Sequence, residues 1–355
     1  MTGTRREHGG GFGVSRTRAR RVVVHARAIV GAARSACQRA RIPRVRVRYR
    51  VGVMPGPWPD SPDGPALFWR LVDLCERTDI DSLWFSERLS SPAPLLAPLP
   101  AMAAVAARTR RLKFGPSVLV APYRTPVLLA RELALLDYLS EGRALPAVGV
   151  GVEQAREFRA AGVPYAERGR RTNEAIQILR LCWTGEPVTF AGEFWQLEEV
   201  TVRPRPVQSP FPLWIGGASE AAMRRAGRLG DGWLPSFITP EAFRIGVERT
   251  QAYARAAGRE VPADHFGALV YFFFARDPAA ARAAAEPYLP RGRVDPAILD
   301  RCAAFGPPEL LIERLEQYVA AGGSKFVVRP MGPPEAMLDQ VAELAETVVP
   351  HFHGR

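Results

Sequence analysis

Lysine is almost missing from this chain: Lys113 and Lys325 are the only two in 355 residues, while arginine is abundant. With alanine, glycine and proline also frequent, this reads as the coding bias of a GC-rich genome and not as a functional signal. Cysteine is sparse as well. Cys37, Cys75, Cys182 and Cys302 lie far apart and form no Cys-x-x-Cys pair. Neither a zinc site nor a disulfide framework is expected, and the thiols read as reduced core residues of a cytoplasmic protein. Four of the five histidines (His8, His25, His351 and His353) lie near the termini, and His265 reads as structural. No Gly-x-Ser-x-Gly elbow or His-Glu-x-x-His pair occurs, so neither a serine hydrolase nor a metalloprotease is expected. No uncharged apolar run reaches about 18 residues, which excludes an expected membrane span.

Acidic residues are missing from one place in particular. Residues 1–50 hold fourteen arginines and a single acid, Glu7. That segment carries +13 of a formal net charge of +12, leaving −1 for the remainder. A nucleic-acid enzyme would place basic charge on its folded part, so no nucleic-acid partner is expected there. Residues 1–44 combine Gly9-Gly10-Gly11, many arginines and few large apolar side chains. Such a segment does not bury enough surface to offset its ordering entropy. It reads as a disordered extension or an over-extended start, with a tail that binds acidic partners as the alternative. An Arg-rich leader also suits a targeting peptide, but Val22-Val23-Val24 is too short for a secretory apolar core.

What is present, from Val45 to about residue 350, is a rhythm. Val45–Val53, Asp81–Phe85, Leu112–Val120 and Leu145–Val150 read as strands, each followed by an amphipathic helix. Pro187–Phe190 and Glu193–Leu197 flank Ala191-Gly192 as a β-hairpin inserted before strand five. Leu213–Ile215, Asp231–Pro235, Gly267–Ala275 and Lys325–Arg329 complete eight strands. Thr125-Pro126, Ser219 and Thr239-Pro240 mark helix starts. Residues 151–167 and 276–305 read as long loops. Eight strand–helix units predict an α/β fold, a closed TIM (β/α)8 barrel. A doubly wound sheet would place a Gly-rich fingerprint after strand one, where Met54-Pro55-Gly56-Pro57 stands instead.

In such a barrel the active site lies at the C-terminal ends of the strands. The strongest local signal there is Gly216-Gly217-Ala218-Ser219. Two glycines let the backbone approach a ligand, and the next helix offers unpaired N–H groups that suit a phosphate. An ordinary tight turn with a serine cap is the alternative. With few acids, bases or ligand clusters in view, the chemistry is expected to come from a bound organic cofactor.

The runs Leu112-Lys113-Phe114-Gly115-Pro116-Ser117-Val118, Arg124-Thr125-Pro126 and Leu136-Asp137-Tyr138-Leu139-Ser140-Glu141-Gly142-Arg143 resemble the luciferase-like monooxygenase family. So do Glu167-Arg168-Gly169-Arg170-Arg171, Pro206-Val207-Gln208-Ser209-Pro210 and Gly230-Asp231-Gly232-Trp233. The stretches Leu145–Gly151 and Gly227–Phe237 are similar to the branch that uses the deazaflavin coenzyme F420. The resemblance implies a ring lying across the barrel mouth, backed by a non-prolyl cis peptide at Ser117–Val118. It implies cofactor contacts from Ser117, Val118 and Arg124, from Gly149, Gly151 and Val152, and from Ile215, Gly216, Gly217, Ala218 and Ser219. Where deazaflavin relatives often carry an Asp-His pair, this chain has Glu87-Arg88, so these are the catalytic candidates, Glu87 as the acid. Val152 stands where some relatives carry a proton donor. Arg88, Arg124 and Arg329 are the candidate cations for an anionic coenzyme or substrate.

The function implied is hydride transfer between coenzyme F420 and a small organic substrate. The alternatives are a monooxygenase using reduced FMN, a flavin-binding protein without turnover, and nucleic-acid binding by the arginine-rich tail. A homodimer is compatible with the resemblance. Because residues 1–44 hold the excess charge and almost none of the core pattern, their removal is expected to leave fold and cofactor binding intact. Thermal denaturation and cofactor titration of the truncated chain check this; a large fall in melting temperature counts against it.

Overall fold

Short buried strands alternate with helices that each offer one apolar face. The computed structural model describes residues 48–91, 93–151, 155–290 and 294–353. The segment 1–44 and Val152 lie outside these described residues. The first half runs β1 (Arg50–Val53), α1 (Gly64–Arg77), β2 (Ser82–Phe85), α2 (Pro98–Arg108), β3 (Lys113–Pro116), β4 (Leu119–Val120), α3 (Pro126–Leu139) and β5 (Ala147–Gly149). After it come α4 (Ala155–Ala160), α5 (Arg168–Cys182), the hairpin β6 (Val188–Ala191) and β7 (Gln196–Val200), and then β8 (Trp214–Gly216). The remainder is α6 (Glu220–Leu229), β9 (Gly232–Leu234), α7 (Pro240–Ala256), β10 (Gly267–Phe274), α8 (Pro278–Ala285), α9 (Pro296–Cys302) and β11 (Ala304–Gly306). It ends with α10 (Pro308–Ala320), β12 (Lys325–Pro330), α11 (Met337–Glu343) and α12 (Val349–Phe352).

The strands form two parallel ladders, β11-β10-β12-β1-β2-β3 and β4-β5-β8-β9. Isolated parallel bridges cross the two seams, Phe114 to Ala144 on one side, and Trp233 to Phe266 and Ser236 to Leu269 on the other. This is the TIM-type barrel with its hairpin insertion. The expected third strand is split: β3 pairs with β2, β4 pairs with β5, and the cis peptide Ser117–Val118 lies between them. Of the expected first strand Val45–Val53, residues 45–47 lie outside the described residues, and the described part is strand from Arg50 to Val53. The two expected long loops carry helices. Asp277 and Asp295 each cap a proline-started helix, α8 and α9, and Phe158 seats α4 by edge contacts with Tyr123 and Tyr165. Thr125 precedes α3 without making a side-chain cap, whereas Ser219 and Thr239 cap as expected.

The inside of the barrel is filled in layers. Trp84 and Trp214 occupy its middle with Met54, Leu234 and Val327. Strand glycines make the room: a Cβ on Gly52 would come within 2.8 Å of the Trp84 ring nitrogen, and one on Gly232 within 2.6 Å of the Trp214 ring. Below the indoles, Asp81 binds three cations. Lys113 Nζ lies 3.0 Å and Arg50 3.5 Å from its carboxylate, and Lys325 pairs with the other oxygen. Burial opposes ionisation of Asp81, but Lys325 and Lys113 outweigh it and hold its carboxyl well below the usual range. Three cations share one carboxylate, so the most buried of them, Lys325, is pushed down to about 8 by its desolvation despite Asp81.

The motifs that carried the family resemblance fasten this frame. Arg143 donates to the Ala106, Thr109, Leu112 and Ser140 carbonyls, tying the ends of α2 and α3 to the start of β3. Asp137 accepts from the Gln208 backbone and side chain at 3.0 and 2.7 Å. Asp231 accepts from Leu213 N, Arg180 and Arg259.

Replacing Asp81 with Asn leaves the floor cations unneutralised and is expected to cost about 3–5 kcal/mol, measured by urea denaturation at pH 7. Lys325→Met is expected to cost less, because Lys113 and Arg50 still neutralise Asp81. The Asp81 carboxyl is depressed in the folded chain, so the unfolded chain takes up its proton first. Its stabilisation is therefore complete above about pH 5 and is lost as pH falls below about 4. Asp81→Asn is expected to flatten that part of the stability profile.

Candidate active site

A cleft of about 300 Å³ opens at the C-terminal ends of the barrel strands. Met54 follows β1, Ser86 to Arg88 follow β2, and Ser117, Val118 and Val120 come from the split third strand. Gly149 to Gly151, Gly216 and Gly217, and Ser236 and Phe237 line it from β5, β8 and the end of β9. Leu269 and Tyr271 alternate inward from β10, and Arg329 comes from β12.

One side of the cleft is a cradle from which side chains are excluded. A Cβ on Gly149 would stand 2.7 Å from a Val118 methyl, and one on Gly216 would stand 2.8 Å from another. Gly217 follows with φ +101°, a conformation that favours glycine. Its carbonyl accepts from Trp233 Nε1 at 2.8 Å, which fixes the turn. The helix α6 starts there. Ser219 caps Ala222 N, leaving the Glu220 and Ala221 N–H groups without an intrahelical acceptor. The Glu220 carboxylate, which would repel an anion, is drawn aside to Arg249 and Tyr253 on α7. These residues fit a planar ring backed by Val118 and a phosphate at the start of α6.

Among the described residues, the charged side chains at the cleft form two closed pairs, and one further cation has no carboxylate partner. Glu87, whose side chain is 7% exposed, accepts from Val120 N at 2.6 Å and from both terminal nitrogens of Arg124 at 2.9 and 2.5 Å. Both its oxygens are thereby engaged, and the geometry is that of a clamp between the end of β2 and the segment after β4. Glu157 on α4 is buried. It accepts from Arg88 Nε at 2.8 Å, from Leu89 N at 3.0 Å and from the Tyr123 hydroxyl at 3.3 Å. Burial pushes the Glu157 carboxyl up, but Arg88 and the Leu89 N–H outweigh it and hold it below the ordinary range. Burial and then the Glu157 charge push the Tyr123 phenol up to about 12. Arg329 differs: its Nε donates to Pro55 O at 3.0 Å and its guanidinium lies 5.9 Å from the Tyr271 ring centre. Among the described residues it has no carboxylate partner.

Of the residues expected from the sequence, Glu87, Arg88, Ser117, Val118, Gly149, Gly151, Gly216 and Gly217 line the cleft. Arg124 reaches it only through Glu87, Ile215 packs into the hydrophobic core, and Ala218 and Ser219 precede α6, Ser219 as its cap. Val152 lies outside the described residues. Sequence reasoning missed Glu157, which sits in a segment with no readable pattern. It also missed Met54, Tyr123 and Tyr271, although Leu269 and Tyr271 follow the period-2 alternation of an inward strand face. Among the described residues there is no cluster of metal-ligating side chains and no helix long and apolar enough to cross a membrane.

A family model described as luciferase-like monooxygenase matches residues 47–296. The F420-dependent glucose-6-phosphate dehydrogenase of Nakamurella multipartita is 35% identical over 204 residues, covering 52% of this chain and 59% of the relative. The FMNH(2)-dependent dimethylsulfone monooxygenase of Pseudomonas putida is 35% identical over 162 residues, 44% of each chain. The chain thus spans about half the length of the curated relatives it matches. The crystal structure of the monooxygenase RslO1 from Streptomyces bottropensis superposes with a TM-score of 0.74 at 23% identity, over 85% of this chain and 99% of that one, a likeness of fold. With the cradle, the barrel and the family match in agreement, the chain belongs to the luciferase-like monooxygenase family.

Proposed function

We propose that this chain is a cytoplasmic oxidoreductase that transfers hydride between coenzyme F420 and a small organic substrate. The observation that carries the reading is the glycine-walled cradle around Val118, continuous with the turn Gly216–Ser219 and the start of α6. Val118 would back the ring, Gly149 and Gly216 keep that face free of side chains, and the N–H groups at the start of α6 hold the phosphate. A deazaflavin, when bound, supplies hydride chemistry without oxygen activation, so its identity fixes the reaction class.

The remaining residues act by position. Glu87 and Arg88 serve in this reading by clamping the cleft walls, since each is closed on an oppositely charged partner. Tyr123 Oη lines the cleft, keeps its proton through the neutral range and donates a hydrogen bond to Glu157, so in this reading it positions Glu157 and the proton donor is water. Arg329 is the cation available to an anionic group. A second reading, an FMN-dependent monooxygenase, is favoured by the dimethylsulfone monooxygenase relative. The F420-dependent relative supports the first reading over a longer matched stretch.

The purified chain is expected to bind the deazaflavin at least tenfold more tightly than FMN, a gap of about 1.4 kcal/mol. Side-by-side fluorescence titrations measure it, and equal affinities or tighter FMN binding favour the monooxygenase. Gly217→Val is expected to abolish cofactor binding while far-UV circular dichroism stays unchanged. The new side chain would be strained at φ +101° and would stand 3.2 Å from Ala222 Cβ. Unchanged affinity in a folded variant would place the phosphate elsewhere.

A further inference from the structure

Away from the cleft, one buried cation lacks a counter-charge. Arg225 on α6 is 8% exposed, and among the described residues no carboxylate pairs with it. Its Nε donates to Asn173 Oδ1 at 2.7 Å, and its Nη2 makes a long 3.4 Å contact with the Gly169 carbonyl, both on α5. Nη1 donates to no described residue. It is nevertheless open to solvent, because among the described residues the sealed side-chain atoms without a partner are Glu132 Oε2 and Thr250 Oγ1. Burial pushes the Arg225 pKa down, and no carboxylate opposes the shift. Arg143 is the contrast: at 9% exposure all three of its nitrogens are held by carbonyls and a hydroxyl. Arginine keeps its charge when buried, and a buried charge without a counter-charge is costly.

The place of Arg225 says what meets it. α6 begins at the turn Gly216–Ser219, and Arg225 lies one helical turn beyond Ala221 on the same face. Helical side chains lean toward the N-terminus, so this one leans back toward the turn. Gly217, Ala218, Ser219 and Ala221 are exposed, and none has a long side chain to screen the guanidinium. Gly169 leaves Nη2 uncovered from α5, since a Cβ there would stand 3.6 Å from it. The acids of this corner are already engaged: Glu220 by Arg249 and Tyr253, Glu167 by Arg171, and Glu193 by Arg170. We propose that Arg225, between the first turns of α5 and α6, is a second anion site beside the phosphate turn, taking a carboxylate or phosphate group across its Nη1–Nη2 edge. Two sources carry that chemistry: a further acidic group on the molecule whose phosphate lies at Gly216–Ser219, or a free anion. The first deepens the proposed function and rests on it; the second stands without it. FMN ends at its phosphate, whereas coenzyme F420 continues beyond its own into a chain of carboxylates, so the first source also separates the two cofactors.

The test uses the full-length protein with five probes: F420, F420 trimmed of its carboxylate chain, FMN, citrate and inorganic phosphate. Fluorescence titration reads the coenzymes and calorimetry reads the free anions. If the group belongs to the coenzyme, Arg225→Gln is expected to weaken F420 about 10-fold, the factor of one charge-assisted hydrogen bond. FMN and the trimmed coenzyme are then expected to keep their affinities. If the anion is free, citrate or phosphate is expected to bind the Gly217→Val variant, whose phosphate turn is blocked, and to stop binding once Arg225→Gln is added. This arm is read even when neither coenzyme binds, so a failure of the cofactor reading and a failure of this one stay separate. Should Arg225→Gln not fold, Gly169→Asp replaces it. That change sets a carboxylate beside the same guanidinium in the first turn of α5, where an acid is favoured, and is expected to cause the same losses. A folded variant of either kind that changes neither F420 affinity nor free-anion binding overturns the proposal. Equal weakening of F420, its trimmed form and FMN also overturns it, and makes Arg225 a packing residue.

Discussion

An eight-stranded barrel encloses a space that has to be filled by its own side chains, and this constraint sets the position of everything else. Here two indoles, Trp84 and Trp214, fill the middle, and inward-facing glycines on neighbouring strands yield the space they need. Beneath them one carboxylate and its cations close the floor. What remains open is the top, at the C-terminal ends of the strands. The cleft lies there because the lower interior is already full.

Charge at the mouth serves to join elements as much as to meet a ligand. Glu87 fastens the end of β2 to Arg124 and to the backbone of Val120. Glu157 fastens α4 to the residues that follow β2. Each pair links segments distant in sequence, so the walls of the cleft are fixed relative to one another before any ligand arrives. Such partly buried pairs contribute through hydrogen bonds that satisfy every oxygen. Among the described residues, their closure leaves Arg329 as the cleft cation without a carboxylate partner.

The barrel itself was legible because its signals are local: alternation in the strands, apolar spacing in the helices, and Ser or Thr before helix starts. The glycine turn after β8 was legible for the same reason, since only glycine suits φ +101° at Gly217. Other features depend on distant partners. Nothing around Glu157 in the sequence shows that Arg88 and Leu89, almost seventy residues earlier, would meet it. The sequence also offers Glu87 as a free acid, because its engagement by Arg124 appears only once the end of β2 meets the segment that follows β4. The starts of α8 and α9, Asp277-Pro278 and Asp295-Pro296, were readable and passed over. The resemblance motifs had a different kind of blindness. Arg143, Asp137 and Asp231 mark the family, yet their hydrogen bonds show that they hold the frame and do not touch the cleft.

The two lysines have a consequence of their own. In a chain that uses arginine almost everywhere else, both side-chain amines meet at Asp81. A guanidinium is a broad planar fork, whereas an ammonium is a compact point that fits a narrow floor beside an indole. The Lys325 amine lies 5.6 Å from the Trp84 ring centre. An amine-selective acylating reagent therefore finds no side-chain target on the outer helices. Its attachment at Lys325 would record the opening of the barrel floor, not the accessibility of the surface. With lysine confined to that floor, this protein carries a built-in chemical gauge of how often its barrel breathes.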